Sequence, residues 1–97
     1  TIYQVYLPDK NLHKEDIENF LELKEFIVED ISKKGRIRKT DLRQCVENIS
    51  LLKPDTIEMI LKQYNERTIR PTEILKHCFR MSKDSLAFVR LRKRYIS

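Results

Sequence analysis

The chain has 97 residues, of which 40% are hydrophobic, and a formal net charge of +5. This composition suits one domain with a packed core and argues against a wholly disordered chain. One glycine leaves little room for the many tight turns of an all-β fold. No apolar run reaches the roughly 18 residues of a membrane-spanning helix. Because the chain opens with Thr1 rather than methionine, we expect it to be part of a longer protein.

The apolar pattern predicts one extended segment followed by five helices. Residues 1–7 are rich in β-branched and aromatic side chains, which is typical of a strand or of an extended segment docked on the body. Apolar residues spaced three and four apart predict a first helix over 14–32, ended by Gly35. The other helices each start at a capping residue or a proline: 41–49 after Thr40, 54–64 at Pro54, a fourth from Pro71, and 83–95 after Ser82.

A short motif occurs twice. Residues 37–42 read Ile-Arg-Lys-Thr-Asp-Leu, and residues 69–74 read Ile-Arg-Pro-Thr-Glu-Ile. Each copy lies between the end of one predicted helix and the start of the next. A helix–loop–helix unit repeated twice is the simplest description.

This arrangement resembles a pair of EF-hands. In that family, the eighth loop position is an aliphatic residue that pairs with its counterpart in the other hand, and the twelfth is a carboxylate. Ile37 and Ile69 match the pairing position, and Asp41 and Glu73 match the carboxylate. The resemblance implies an all-α fold of paired EF-hand-like helix–loop–helix units (four helices) plus a C-terminal basic helix. At most a tiny β pairing between the loops is expected.

The resemblance also divides the chain into three segments. Residues 1–13 are expected to form an extended N-terminal segment or linker. Residues 14–80 form the EF-hand-like pair, and residues 81–97 form a basic C-terminal helix or tail. The charge distribution agrees with this division, because residues 80–97 hold six basic side chains against Asp84 alone.

The first loop matches the family at Asp30 and Gly35, but its chemistry does not suit calcium. Its third and fifth positions are Ser32 and Lys34, and residues 30–41 hold five basic side chains against two acidic ones. Calcium needs about six to eight oxygen ligands around a doubly charged ion. We therefore expect neither loop to bind calcium, and we predict no metal site and no cofactor.

No catalytic residue is predicted. His77 and Cys78 are adjacent in sequence, but neighbouring helical residues point about 100° apart, which does not suit a Cys–His dyad. With one glycine, the chain has no Gly-rich phosphate loop. Cys45 and Cys78 lack the spacing of a zinc site. They are expected to be reduced thiols of a cytoplasmic protein, and a nuclear location is left open.

The strongest charge feature is the basic run near the C-terminal end. Arg90, Arg92, Lys93 and Arg94 are expected to bind an anionic surface such as an acidic protein, a filament or an anionic membrane. We therefore predict a calcium-independent protein-interaction or structural module of a larger intracellular protein. Its partner is expected to be an amphipathic helix or an acidic surface, and no enzymatic activity is expected.

The alternative is a winged-helix nucleic-acid-binding domain. Residues 54–64 would then be the recognition helix, and residues 67–70 would belong to a wing. Asp55 and Glu58 make that helix a poor face for phosphates, which favours the first reading.

Overall fold

The structure is a computed structural model that describes residues 1–7, 12–65 and 67–94. Its elements in chain order are β1 (Ile2–Tyr6), α1 (Lys14–Glu22), β2 (Ile27–Ile31), β3 (Ile37–Asp41), β4 (Val46–Lys53), β5 (Thr56–Leu61), α2 (Pro71–Cys78), α3 (Lys83–Leu86) and β6 (Arg90–Arg94). This is a strand-rich α/β fold, so the predicted all-α, EF-hand-like fold is wrong.

A four-stranded antiparallel sheet forms the body of the molecule. Its order is β4–β5–β1–β6, so β1 and β5 lie inside the sheet and β4 and β6 are its edges. The chain passes from β1 through α1 to β4, returns along β5, and passes through α2 and α3 to β6. This is the connectivity of the ferredoxin-like β-α-β-β-α-β fold. A separate hairpin, β2–β3, is inserted between α1 and β4.

One face of the sheet carries the core. Alternate residues of β5, Ile57, Met59 and Leu61, are buried on this face, as period-2 alternation requires. Helices α1 and α2 cover it, with their buried residues Ile17, Phe20, Ile74 and Leu75. The opposite face of the sheet, called here the open face, consists of residues that are exposed or half-buried.

The segment predicted as the third helix is a turn and a strand. Pro54 and Asp55 form the tight turn of the β4–β5 hairpin, where the fixed φ of proline suits the second position of the turn. Residues 56–61 continue as β5. The winged-helix alternative therefore has no recognition helix at 54–64, and this reading of the fold is also wrong.

The first predicted helix is ten residues too long. Helix α1 starts at Lys14 as predicted but ends at Glu22, and the next residue, Leu23, is extended. Within the remaining residues of the predicted helix, residues 27–31 form β2, which pairs antiparallel with β3. Gly35 adopts φ 77° in the turn of this hairpin, a left-handed conformation that glycine reaches without strain.

The predicted pairing between the two repeat copies does not occur. Ile37 pairs with Ile31 inside the β2–β3 hairpin and is 71% exposed. Ile69 is buried and lies just before α2. The two motifs therefore have different structures, since the first continues along strand β3 and the second leads into a helix.

The C-terminal segment is mostly extended rather than helical. Ser82 caps a helix as predicted, accepting a hydrogen bond from the Ser85 backbone N–H at 3.2 Å, but α3 is only four residues long. The basic residues that follow form strand β6, so the predicted C-terminal basic helix is wrong. The division at residues 13 and 80 stays a prediction about domains, although both outer segments contribute strands to one sheet.

Candidate functional site

Strand β6 places the predicted anion-binding residues at the edge of the four-stranded sheet. We call this strand, Arg90–Arg94, the basic edge. It pairs with β1 at five consecutive positions without a register shift. Because side chains alternate across a strand, Arg90 and Arg92 lie on the open face. Leu91 and Lys93 lie on the face that carries the helices, so the structure separates the predicted cluster into two sets.

Residues of β1 extend the basic edge across the open face. Tyr6 lies directly opposite Arg90, and Gln4 lies opposite Arg92. Side chains at directly opposed positions have Cβ atoms about 5 Å apart, within reach of a common ligand. Tyr6 is 41% exposed, so its ring is available for contact. The open face thus has guanidinium groups beside an aromatic ring and an amide.

Among the described residues, the charge on this part of the open face is uncompensated. Within the described part of the chain, neither Arg90 nor Arg92 has a carboxylate within ion-pair distance. Glu58 of β5 lies opposite Gln4, one strand further from the arginines. Arg side chains bind carboxylates and phosphates through charge-assisted and often bidentate hydrogen bonds. The arrangement can therefore bind an anionic group without breaking an internal pair.

A polar cleft adjoins the other face of the basic edge. It has a volume of about 340 Å³, and its lining includes Lys93 together with Tyr3 and Lys62. Tyr3 is the residue opposite Lys93 in the sheet. Two lysines therefore line one cleft, so basic residues are also present on the helix side of the edge.

The acidic residues matched to EF-hand loops have structural contacts instead. Asp30 accepts two hydrogen bonds from Arg38, at 2.8 and 3.0 Å, and Arg67 donates to it at 3.3 Å. The hydrogen bond from Arg38, assisted by the charge of Arg67, lowers the pKa of Asp30. Glu73 lies 3.8 Å from Arg67, so the arginine joins the β2–β3 hairpin to α2.

Asp41 contributes to a different part of the hairpin. Its Oδ1 accepts hydrogen bonds from the backbone N–H groups of Phe26 (2.8 Å) and Arg43 (3.1 Å), at the base of the hairpin. Asp30 and Asp41 therefore have separate partners and are not arranged around one ion. In the described residues, no three His, Cys, Asp or Glu side chains form a group that would hold a metal ion.

Arg67 is the central contact of the hairpin and was not singled out from the sequence. Its guanidinium donates to the hydroxyl of the buried Thr40 at 2.7 Å, in addition to its contacts with Asp30 and Glu73. His77 lies nearby, in the lining of a cavity of about 50 Å³ between the hairpin and α2. The charged groups of this cluster pair with one another. The cluster therefore attaches the hairpin to α2, and we do not propose it as a ligand site.

The two cysteines are unreactive by environment. Cys45 is buried, and burial raises its pKa to about 11. Burial also raises the pKa of Cys78 to about 12. Thiolates are the nucleophilic and metal-binding form, and both thiols are protonated at neutral pH.

Tyr6 and Gln4 are residues of the candidate site that were not predicted from the sequence. A signal was present, since Ile2, Gln4 and Tyr6 alternate with Tyr3 and Val5 along β1. The sequence does not show that β6 lies beside β1, because that pairing joins the two ends of the described chain.

The comparison with known families assigns the chain to a bacterial group. The family described as "Uncharacterized protein conserved in bacteria (DUF2344)" matches residues 1–71. The chain belongs to this family. The match replaces the EF-hand assignment, and it includes β1 to β5 with the inserted hairpin. No curated protein and no solved structure matches the chain. No helix in the described ranges is long and apolar enough to cross a membrane.

Proposed function

We propose that this chain is a calcium-independent protein-interaction module that binds an acidic partner through the basic edge. The observation that supports this most is the register of β6 against β1. It sets Arg90 and Arg92 on one face, beside Tyr6 and Gln4. A row of cations that has no carboxylate partner among the described residues favours a partner whose carboxylates are similarly spaced.

The binding is expected to be electrostatic in large part. Each Lys or Arg near an anionic surface contributes about 1 kcal/mol, and this contribution falls as salt screens the charges. Reversing two arginines should therefore weaken binding by well over tenfold, because about 1.4 kcal/mol corresponds to a factor of ten. The exposed positions of both arginines mean that such variants should fold normally.

The test measures binding of a fluorescent decaglutamate peptide to the full chain by anisotropy, at several salt concentrations. The variant is R90E/R92E. The matched control, K33E/K34E, makes the same change in net charge on the exposed turn of the β2–β3 hairpin. We expect the first variant to lose binding and the control to stay within about threefold of wild type. Equal losses in both variants would mean that only net charge matters, and the assignment to the basic edge would be rejected.

Single-stranded nucleic acid is a second candidate, favoured by Tyr6. An exposed aromatic ring beside an arginine on an open four-stranded sheet suits the stacking of one base and contact with its phosphate. A labelled ten-nucleotide oligonucleotide serves as the probe. If it binds more tightly than the peptide, and if Tyr6→Ala weakens that binding about fivefold or more, this candidate replaces the first.

A further inference from the structure

The two edges of the four-stranded sheet differ in regularity. Strand β4 has register shifts against β5 between Val46 and Asn48 and again between Leu51 and Lys53. The basic edge pairs with β1 at every position, and its outer side has no strand partner in the described residues. Bulges obstruct strand addition, whereas a regular free edge offers its N–H and C=O groups to another strand. Of the two edges, the basic one is suited to accept an extended chain.

Charge excludes a second copy of this strand as the occupant. In a symmetric antiparallel pairing, Arg92 would lie opposite Arg92 of the other copy and Arg90 opposite Arg94. Like charges directly opposite each other destabilise a strand pair. The same positions attract carboxylates, so this edge favours an acidic strand over a second copy of β6.

The two sides of the basic edge call for different chemistry. On the open face, an added strand would lie beside Arg90 and Arg92. On the other face it would lie beside Leu91, which is 41% exposed, and beside Lys93, with the 59% exposed Phe88 just before the strand. A strand that alternates acidic and apolar residues would match both sides, because its side chains also alternate.

We propose that the acidic partner is an extended segment with alternating acidic and apolar residues, which adds to the sheet as a fifth strand beside β6. This inference rests on the proposed function. Backbone hydrogen bonds to β6 provide affinity, the acidic side chains contact Arg90 and Arg92, and the apolar side chains cover Leu91. Strand addition of this kind uses the main chain for affinity and alternate side chains for specificity.

The test uses four labelled peptides of equal length with the full chain. The first alternates glutamate and valine over seven residues, and the second has the same composition in two blocks. The third and fourth are the alternating peptide N-methylated at one or the other set of alternate backbone nitrogens. Only one set of nitrogens faces β6 in a strand, so one methylated peptide should lose about tenfold or more in affinity and the other should not. The block peptide should also bind about tenfold more weakly than the alternating one.

A variant pair tests the apolar side of the edge. Leu91→Gln should weaken binding of the alternating peptide and leave the block peptide unchanged. Leu52→Gln changes an exposed leucine on the other edge strand and is the matched control. If both methylated peptides bind like their parent, strand addition is refuted, while recognition of acidic side chains at the basic edge stands. If none of the acidic peptides binds, both the inference and the proposed function are refuted.

Discussion

Met59 and Ile60 are sequence neighbours on β5 that lie on opposite faces of the sheet. Met59 is fully buried against the helices, whereas Ile60 is half-buried on the open face. A helix over residues 54–64 would place Ile57, Ile60, Leu61 and Tyr64 on one apolar stripe, because they are three or four residues apart, and would leave Met59 off it. Truncating each residue to alanine therefore distinguishes a strand from a helix in this segment.

The expected costs differ severalfold. Met59→Ala removes a fully buried side chain from the centre of the core and should cost about 2 to 5 kcal/mol of unfolding free energy. Ile60→Ala should cost about 1 kcal/mol, because only part of that side chain leaves water on folding. The whole domain is expected to be stable by about 5 to 15 kcal/mol, so both variants should remain folded or nearly so.

Urea unfolding followed by far-ultraviolet circular dichroism measures these costs. With a urea dependence of about 1 to 1.5 kcal/mol per molar, Met59→Ala should lower the midpoint by about 1.3 to 5 M, and Ile60→Ala by about 1 M or less. Met59→Leu is the control for volume and should cost under about 1.5 kcal/mol. An Ile60→Ala variant as destabilised as Met59→Ala would contradict the alternation of β5 and with it the placement of the core.

Two further predictions concern the hairpin and the thiols. Arg67→Met should lower the free energy of unfolding by about 2 kcal/mol, since it removes a charge-assisted hydrogen bond to the buried Thr40. Amide hydrogen exchange should accelerate across residues 27–41 and stay unchanged in β5. Uniform acceleration would refute a local role for Arg67. Cys45 and Cys78 should react with a disulfide reagent at pH 7.5 only after unfolding in urea. Rapid reaction of the folded chain would contradict the burial of Cys45 and the raised pKa values of both thiols. The pKa values of Cys45 and Cys78 are raised in the folded state, to about 11 and about 12. The contribution of these thiols to the free energy of unfolding is therefore fully present below the ordinary thiol pKa near 9. It is lost as the pH rises through the folded values.

Local signals in the sequence correctly predicted several starts of elements. The β-branched and aromatic residues at the N-terminal end do form a strand, α1 starts at Lys14, and α2 starts at Pro71. Ser82 caps α3 as expected. These features depend on residues within a few positions of each other, so a single sequence contains the information needed to find them.

The strands were missed where apolar residues satisfied two periods at once. In residues 56–61, Ile57 and Leu61 fit both a helical stripe and a strand face, and the buried Met59 was the residue that separated the two readings. Pro54 suits the first turn of a helix and the second position of a tight turn equally well. Gly35 was read as a helix end, although β-branched residues on both sides of a short basic turn also indicate a hairpin.

The basic residues of the candidate site were named from the sequence, but Tyr6, Gln4 and the arrangement of the site were not. The positions of Arg90 and Arg92 followed directly from the charge run. Their placement on one face beside Tyr6 depends on which strand is adjacent to β6. Packing across the whole chain determines which strand is adjacent to β6. Residue spacing and local propensity within a short stretch of sequence do not reveal it.

The central position of β1 has a consequence for the order in which the chain folds. Thr1 donates to the carbonyl of Leu61, 60 residues away, and the other edge of β1 is covered by β6 near the far end of the chain. The β2–β3 and β4–β5 hairpins join neighbouring segments and close quickly, whereas long-range pairing is slow. Of the six described strands, β1 is synthesised before the others, so it pairs only after its two neighbours have been made. Of the two inner strands of the sheet, β1 is thus made before β5 but has both of its edges covered later.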